Sequence, residues 1–209
     1  MGRPSVPLLS TERIATAAMD LVGSGGGFTI PELARRLNVS PSSLYNHVSG
    51  RGQIVELLRE RAMSEVELPE DWCDRPWTDV VADIARAYRR SYARYPRLIP
   101  LLTTHAVSNV QAVAMYNMLA AVLHRGGFDA ADTLRIITVL DSFVLGSAFD
   151  VTAPDKPWQS GPDVGPELAE ALDTAAGNPT RADEAFEFGL AALLHGLSAF
   201  PAAVPPGSA

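Results

Sequence analysis

The 209-residue chain has a single cysteine, Cys73. No disulfide can form within it, so packing alone must hold the fold, and one free thiol fits a reducing compartment and a cytoplasmic location. Long apolar runs are missing as well. The longest candidate, LRIITVLDSFVLGSAF from Leu134 to Phe149, is interrupted by Arg135 and Asp141 and falls short of the roughly 20 residues that a bilayer requires. It reads as a buried helix, and no membrane partner is expected. The opening segment MGRPSVPLLS lacks the apolar core of a secretory signal. Reaction motifs are absent too. There is no H-E-x-x-H pattern and no nucleophile elbow, the GSGGG run from Gly23 to Gly27 lacks the lysine of a phosphate-binding loop, and no two histidines stand at metal-ligand spacing on one helix. Catalytic residues, metals and cofactors are therefore not expected, and the chain does not read as an enzyme.

What is present begins with charge and its distribution. The net charge is -7 and hydrophobic residues make up 47% of the chain, enough to bury one or two cores. The charge is divided unevenly. Residues 1–63 hold seven arginines against five acids, a net of +2, while the remainder holds ten basic groups against nineteen acids, a net of -9. A slightly basic head on an acidic body can approach phosphate while the body is held away. The small positive charge predicts weak non-specific binding.

The head carries the most specific pattern. In TIPELARRLNVSPSSLYNHV, residues 29–48, Thr29 followed by Glu32 forms a capping box, and Ile30, Leu33, Ala34 and Leu37 make one apolar stripe. That helix stops near Asn38, a residue that tolerates the left-handed conformation. Ser40 then caps a second helix with Pro41 at its first position. Leu44 and Val48 point inward with Val39, leaving Ser42, Ser43, Tyr45, Asn46 and His47 outside. Ahead of this pair, Ile14, Ala17, Ala18, Leu21 and Val22 recur at helical spacing from Ser10, and Gly23 with the Gly25 to Gly27 run is expected to end that helix. Three helices make a small helix-turn-helix domain.

Through Ile14, Ala17, Ala18, Leu21, Val22, Leu33, Ala34, Leu37, Val39, Ser40, Leu44, Tyr45, His47 and Val48 the chain resembles the tetracycline-repressor (TetR) family of transcriptional regulators. The segment from Gly126 to Gly146, and FEFGLAALLHGL near the end, resemble the effector domain of the same family more loosely. The resemblance implies an all-α chain in two parts: an N-terminal three-helix DNA-binding domain and a helical C-terminal domain that dimerises and holds a small molecule. It implies a ligand-responsive regulator, most often a repressor, that binds a palindromic double-stranded DNA operator as a homodimer. The tetracycline branch holds a drug-bound magnesium through a histidine and an acid and steadies the drug with an arginine. Here Thr103 and Val107 stand at the histidine and arginine positions, His105 lies two residues away, and only Asp150 is left as the acid. The resemblance does not extend to a tetracycline ligand.

The expected division is residues 1–50 for the DNA-binding domain, 51–67 for a linker helix and 68–209 for the ligand-binding and dimerisation domain. A fifth helix is expected over Thr78 to Tyr95, with a run of arginines (Arg86, Arg89, Arg90, Arg94) on a solvated face. A second capping box is expected at Ser108 and Gln111, and Asp129 should cap the long apolar helix, which must be covered all round. The candidate DNA contacts are Thr29, Ser42, Ser43, Tyr45, Asn46, His47 and Arg51: Tyr45, His47, Thr29 and Arg51 for phosphates, Ser42, Ser43 and Asn46 for base edges. Candidate effector contacts are Tyr88, Tyr92, His105, Met115, Tyr116, Met118 and Phe143, an aromatic and methionine stripe that core packing explains equally well. The candidate dimer interface joins Gly146 to Phe186, Gly189, Leu190, Leu193, Gly196 and Leu197. Its small-residue track suggests close helix approach, since each helical glycine costs about 1 kcal/mol relative to alanine. Packing within one chain is the alternative. A rival reading of the whole is a helical small-molecule carrier or adaptor that does not bind DNA.

Overall fold

A computed structural model of the chain describes residues 9–154, 157–158 and 161–200. Those residues form ten α-helices and no strand: α1 (Thr11–Gly25), α2 (Ile30–Leu37), α3 (Pro41–Leu44), α4 (Arg51–Met63), α5 (Trp77–Tyr92), α6 (Ile99–Leu102), α7 (Val110–Arg125), α8 (Ala130–Asp150), α9 (Pro166–Thr174) and α10 (Arg181–Ser198). The all-α reading holds. The end of the FPAAVPPGSA tail and part of the proline-rich stretch between α8 and α9 lie outside the described residues.

Local chemistry sets most helix ends. Ser10 caps α1 through a bond from the Arg13 amide, and the helix runs past Gly23 to stop at Gly26, whose φ of 77° closes the last turn onto Val22. The stop comes later than Gly23 because an isolated helical glycine is tolerated, whereas left-handed Gly26 breaks the repeat. Asp129 caps α8 through the Asp132 amide at 2.7 Å, as expected. At the start of α7 the expectation is corrected. Asn109, not Ser108, is the cap, accepting the Ala112 amide at 3.0 Å, because Ser108 is drawn to a partner on α4. α5 also begins one residue earlier and ends three earlier than expected, at Tyr92.

One continuous core runs through the molecule. Ile14, Leu33 and Leu44 close the head, Ile54 and Leu58 carry the core along α4, and Ile84, Met115, Leu123 and Val144 fill the body. α5, α7 and α8 pack on one another, while α4 lies against α1 on one side and α5, α6 and α7 on the other. α4 is thus the element that both halves share. A second tie is Arg97, just after α5, which donates to the carbonyls of Gly23 at 2.7 Å and Ser24 at 3.2 Å at the end of α1. A cation at that end also suits the helix dipole.

Of the arginine run on and after α5, Arg86, Arg90 and Arg94 are exposed, as expected of a solvated face, and Arg89 alone is drawn in. Arg86 makes a paired bond to Glu187 on α10, and Arg89 reaches Asp183 at 2.7 Å and Ser147 at 2.9 Å while covering the Phe186 ring. Arg94 pairs with Glu65. Arg86 and Arg89 fasten α10 to α5, a role set by the acidic residues opposite them and invisible in α5 alone. Nor is α8 covered all round: Leu134 is 66% exposed and Val139 49%.

Candidate nucleic-acid and effector sites

The helix-turn-helix is built by three consecutive backbone locks. At the start of α2 the capping box is complete: the Thr29 amide donates to Glu32 Oε2 at 2.8 Å and the Thr29 hydroxyl accepts the Glu32 amide at 3.3 Å. At its end Asn38 is left-handed, with φ 55° and ψ 45°. Ser40 then caps α3, with Pro41 at its first position. α3 is a single turn, Pro41–Leu44, extended by bonds from His47 and Val48 to the Leu44 carbonyl before Ser49 and Gly50 end it. Leu44 and Val48 anchor it in the core.

This arrangement turns Ser42, Tyr45, Asn46 and His47 outward, with Ser43 half-buried. Tyr45 is 56% exposed, which leaves its phenol free to bond outside the chain. Ser42 and Ser43 are less free than their exposure suggests, because both hydroxyls lie 2.8 Å from the Ser40 hydroxyl. Thr29 is likewise engaged, its hydroxyl donating to Glu32 at 2.7 Å. A phosphate would meet that carboxylate first. Arg51 opens α4 and is exposed, its guanidinium 5.3 Å from the Phe28 ring centroid.

In the body, the structure gathers some of the candidate effector residues and disperses others. Tyr88 from α5 and Tyr116 from α7 both donate to Asp141 Oδ1 on α8, at 2.9 and 2.6 Å. Tyr92 stands edge-on to Tyr88, with ring centroids 4.9 Å apart. Burial pushes the phenols of Tyr88 and Tyr116 well above their ordinary value, and the Asp141 charge pushes them further; burial also raises Tyr92, against the pull of the nearby Arg59 guanidinium. All three are proton donors at neutral pH. Tyr88, Met115, Tyr116 and Asp141 line a cavity of about 10 Å³, room for one water at most. His105, Met118 and Phe143 do not reach it. His105 instead bonds the Leu101 carbonyl through Nδ1, at 2.9 Å, and Phe143 stacks on Phe186 with centroids 5.4 Å apart.

Asp141 was legible only as an interruption of an apolar helix. Its partners come from two other helices.

Between head and body sits a second cluster, also missed from sequence. Arg59 on α4 is buried and donates to the carbonyls of Leu102 and His105, each at 3.2 Å, while its Nε bonds Glu56 at 2.9 Å. Glu56 accepts from both the amide and the hydroxyl of Ser108, at 3.0 Å each. Burial alone would raise the Glu56 pKa, but the bonds from Arg59 and Ser108 outweigh it and hold the carboxyl below the ordinary value. The linker helix is thus bonded to the segment that leads into α7, on which Tyr116 sits.

The candidate dimer residues divide into two groups. Phe186 and Leu190 are buried within the chain, 2% and 1% exposed, and a Cβ on Gly189 would lie 2.7 Å from the Phe143 ring. The packing alternative accounts for these three. Gly146 and Gly196 face open space, and Leu193 and Leu197 line a groove of about 190 Å³ with Phe128, Val139 and Phe200. The most exposed large apolar side chain of α10 is Phe188, at 79%, which was not among the candidate interface residues. Asp150 pairs with Arg181 at 2.8 Å. Among the described residues no cluster of histidine, cysteine and acidic side chains could hold a metal, and no helix is long and apolar enough to cross a membrane.

Residues 69–200 match the family model described as the tetracyclin repressor-like C-terminal domain. The chain belongs to the TetR family. A helix-turn-helix-type transcriptional regulator from Saccharopolyspora erythraea is 29% identical over 143 residues, which cover 68% of this chain and 60% of that protein. A helix-turn-helix transcriptional repressor from Streptomyces coeruleorubidus is 24% identical over 70% of this chain and 55% of its own length. The matches thus span a little over half of these two curated relatives. Among solved structures, a possible TetR family regulator from Streptomyces coelicolor superposes with a TM-score of 0.75 at 23% identity, covering 91% of this chain and 99% of that one. That likeness establishes the TetR fold for both halves of the molecule.

Proposed function

We propose that the chain is a ligand-responsive, DNA-binding transcriptional regulator that acts as a repressor. It binds a near-palindromic operator as a homodimer in the cytoplasm and performs no catalysis. The observation that carries this reading is the cap-locked helix-turn-helix, which holds Tyr45, Asn46 and His47 exposed in the turn that extends α3, with Arg51 exposed at the start of α4. Tyr45, His47 and Arg51 contact phosphates and set register; Asn46, with Ser42 and Ser43, faces bases. The repressor assignment is supported by the Streptomyces coeruleorubidus relative.

Residues 1–50 form the DNA-binding domain, 51–67 the linker helix and 68–209 the ligand-binding and dimerisation domain. Two copies pair through the outward faces of α8 and α10, and their recognition helices enter successive major grooves about 34 Å apart. The effector enters between α5, α7 and α8 beside Tyr88 and Tyr116. Its cavity is closed in this conformation, so the ligand binds a second, open state. The Ser108 to Glu56 bonds carry that opening of α7 to α4 and alter the spacing of the two heads.

Selection from random double-stranded DNA with the purified chain tests the reading. Enrichment of a two-fold motif at low salt is the expected result. Failure to enrich any such motif favours a helical carrier or adaptor.

A further inference from the structure

We propose that the effector is an organic cation: a protonated amine on an apolar body, bound by Asp141 between Tyr88 and Tyr116. The inference rests on the effector reading of this site and names its ligand class.

The argument starts from charge. Asp141 sits half-buried on α8 with apolar side chains around it: Val81, Ile84, Leu119, Leu140 and Val144. Among the described residues it forms no ion pair, and its partners are the two neutral phenols of Tyr88 and Tyr116, both on Oδ1. A carboxylate withdrawn from water without a cation is costly, and two neutral donors offset only part of that cost. The arginines nearby are engaged elsewhere: Arg89 with Asp183 and Ser147, Arg59 with Glu56 and two carbonyls. The body thus keeps one negative charge without a counter-charge at the point where three helices meet.

The surrounding groups suit a cation in particular. Tyr88 and Tyr116 converge there, with Tyr92 packed edge-on behind Tyr88, and aromatic faces attract cations as well as apolar carbon. A neutral ligand would gain only the apolar contact. An anion would be repelled by Asp141. A drug-sized ligand needs roughly 300 Å³ or more, against about 10 Å³ in the closed cavity, so α7 and α8 must part to admit it. Tyr116, Ile137 and Asp141 are half-exposed and mark the side from which it enters.

The test is calorimetric titration of the full chain, without DNA, using phenylbutylamine and phenylbutanol as a matched charged and neutral pair. The amine should bind about tenfold more tightly than the alcohol, and Asp141→Asn should erase that difference while leaving the alcohol unchanged. Equal affinities, an amine preference that survives Asp141→Asn, or no binding of either probe at millimolar concentration would overturn the proposal. If Asp141→Asn does not fold, Tyr116→Phe serves instead. It removes one neutral donor from the carboxylate, so the ratio of amine to alcohol affinity should rise, and a collapse of that ratio overturns the proposal. Because DNA is absent, a failed titration leaves the operator reading standing, and a failed operator selection leaves this one standing.

Discussion

Glu56 and Ser108 are joined twice: the backbone amide and the hydroxyl of Ser108 both donate to the same oxygen of Glu56, at 3.0 Å. The link ties the linker helix to the start of α7, across the boundary between the half that carries the helix-turn-helix and the half that carries the closed cavity. Ser108→Ala removes the hydroxyl bond and keeps the amide bond. The expected cost is about 1 kcal/mol in thermal unfolding. The operator affinity of the variant should also respond less to a bound effector, as read by fluorescence anisotropy with and without ligand. An unchanged response would remove this link from the coupling.

Acid should loosen the same region. Glu56 is held below the ordinary glutamate value of 4.5, by Arg59 and Ser108 against the opposing effect of burial. Glu187 is lowered by its bond to Arg86, Glu32 by Thr29 and Glu184 by Thr180. A carboxyl with a depressed folded-state pKa contributes stability above its unfolded value and loses it as pH falls through the folded value. Melting temperature should therefore drop as pH falls below about 4.5. Glu187→Gln should lower the melting point at neutral pH and flatten the acid slope.

Two glycines of α10 should respond in opposite directions. A Cβ at Gly189 meets the Phe143 ring at 2.7 and 2.8 Å, and that ring is stacked on Phe186. Gly189→Ala should cost about 1 to 3 kcal/mol by overpacking. Gly196 faces open space within the chain, so Gly196→Ala should stabilise an isolated chain by up to about 1 kcal/mol through helix propensity. If a second copy packs on Gly196, the same change should weaken self-association. Chemical denaturation across a range of protein concentrations separates the two effects.

Phe188 should matter to assembly and not to folding. Its ring is 79% exposed, so Phe188→Asp removes little intrachain packing. Sedimentation velocity should show a dimer for the unaltered chain and a monomer of unchanged helicity for the variant. A variant that stays dimeric places the interface elsewhere.

On the DNA side, Tyr45→Phe should weaken binding to every operator variant by about 1 kcal/mol. Ser43→Ala should alter preference at one base position and, because the Ser43 hydroxyl is bonded to Ser40, should also loosen the start of α3. Binding measured across single-base operator variants distinguishes these patterns. A uniform shift from both changes would remove Ser43 from base readout.

The helix-turn-helix was legible residue by residue because each of its locks is local. Thr29 needs Glu32, Asn38 needs only its own tolerance of positive φ, and Ser40 needs the Ser43 amide, all within a few positions. The same kind of reasoning failed at Ser108, where a local cap rule competed with a glutamate fifty-two positions earlier and lost. It failed again at Arg89 on α5, which is drawn in against α10 and Asp183 while Arg86 and Arg90 keep the exposure expected of them. Phe188 escaped because it lies off the α10 face that carries Phe186, Leu190, Leu193 and Leu197.

By itself, then, the sequence determined that the chain is helical, where most helices start and stop, and that its head is a helix-turn-helix, since caps, turn residues and apolar periodicity act over one or two turns. Only the tertiary structure decided which polar groups meet. Tyr88, Tyr116 and Asp141 lie on three helices separated by loops, and no spacing rule relates them; their convergence is a consequence of how α5, α7 and α8 pack. The closed cavity, the Arg59 and Glu56 tie and the exposed face of α10 have the same origin, because burial and charge pairing depend on neighbours distant in sequence.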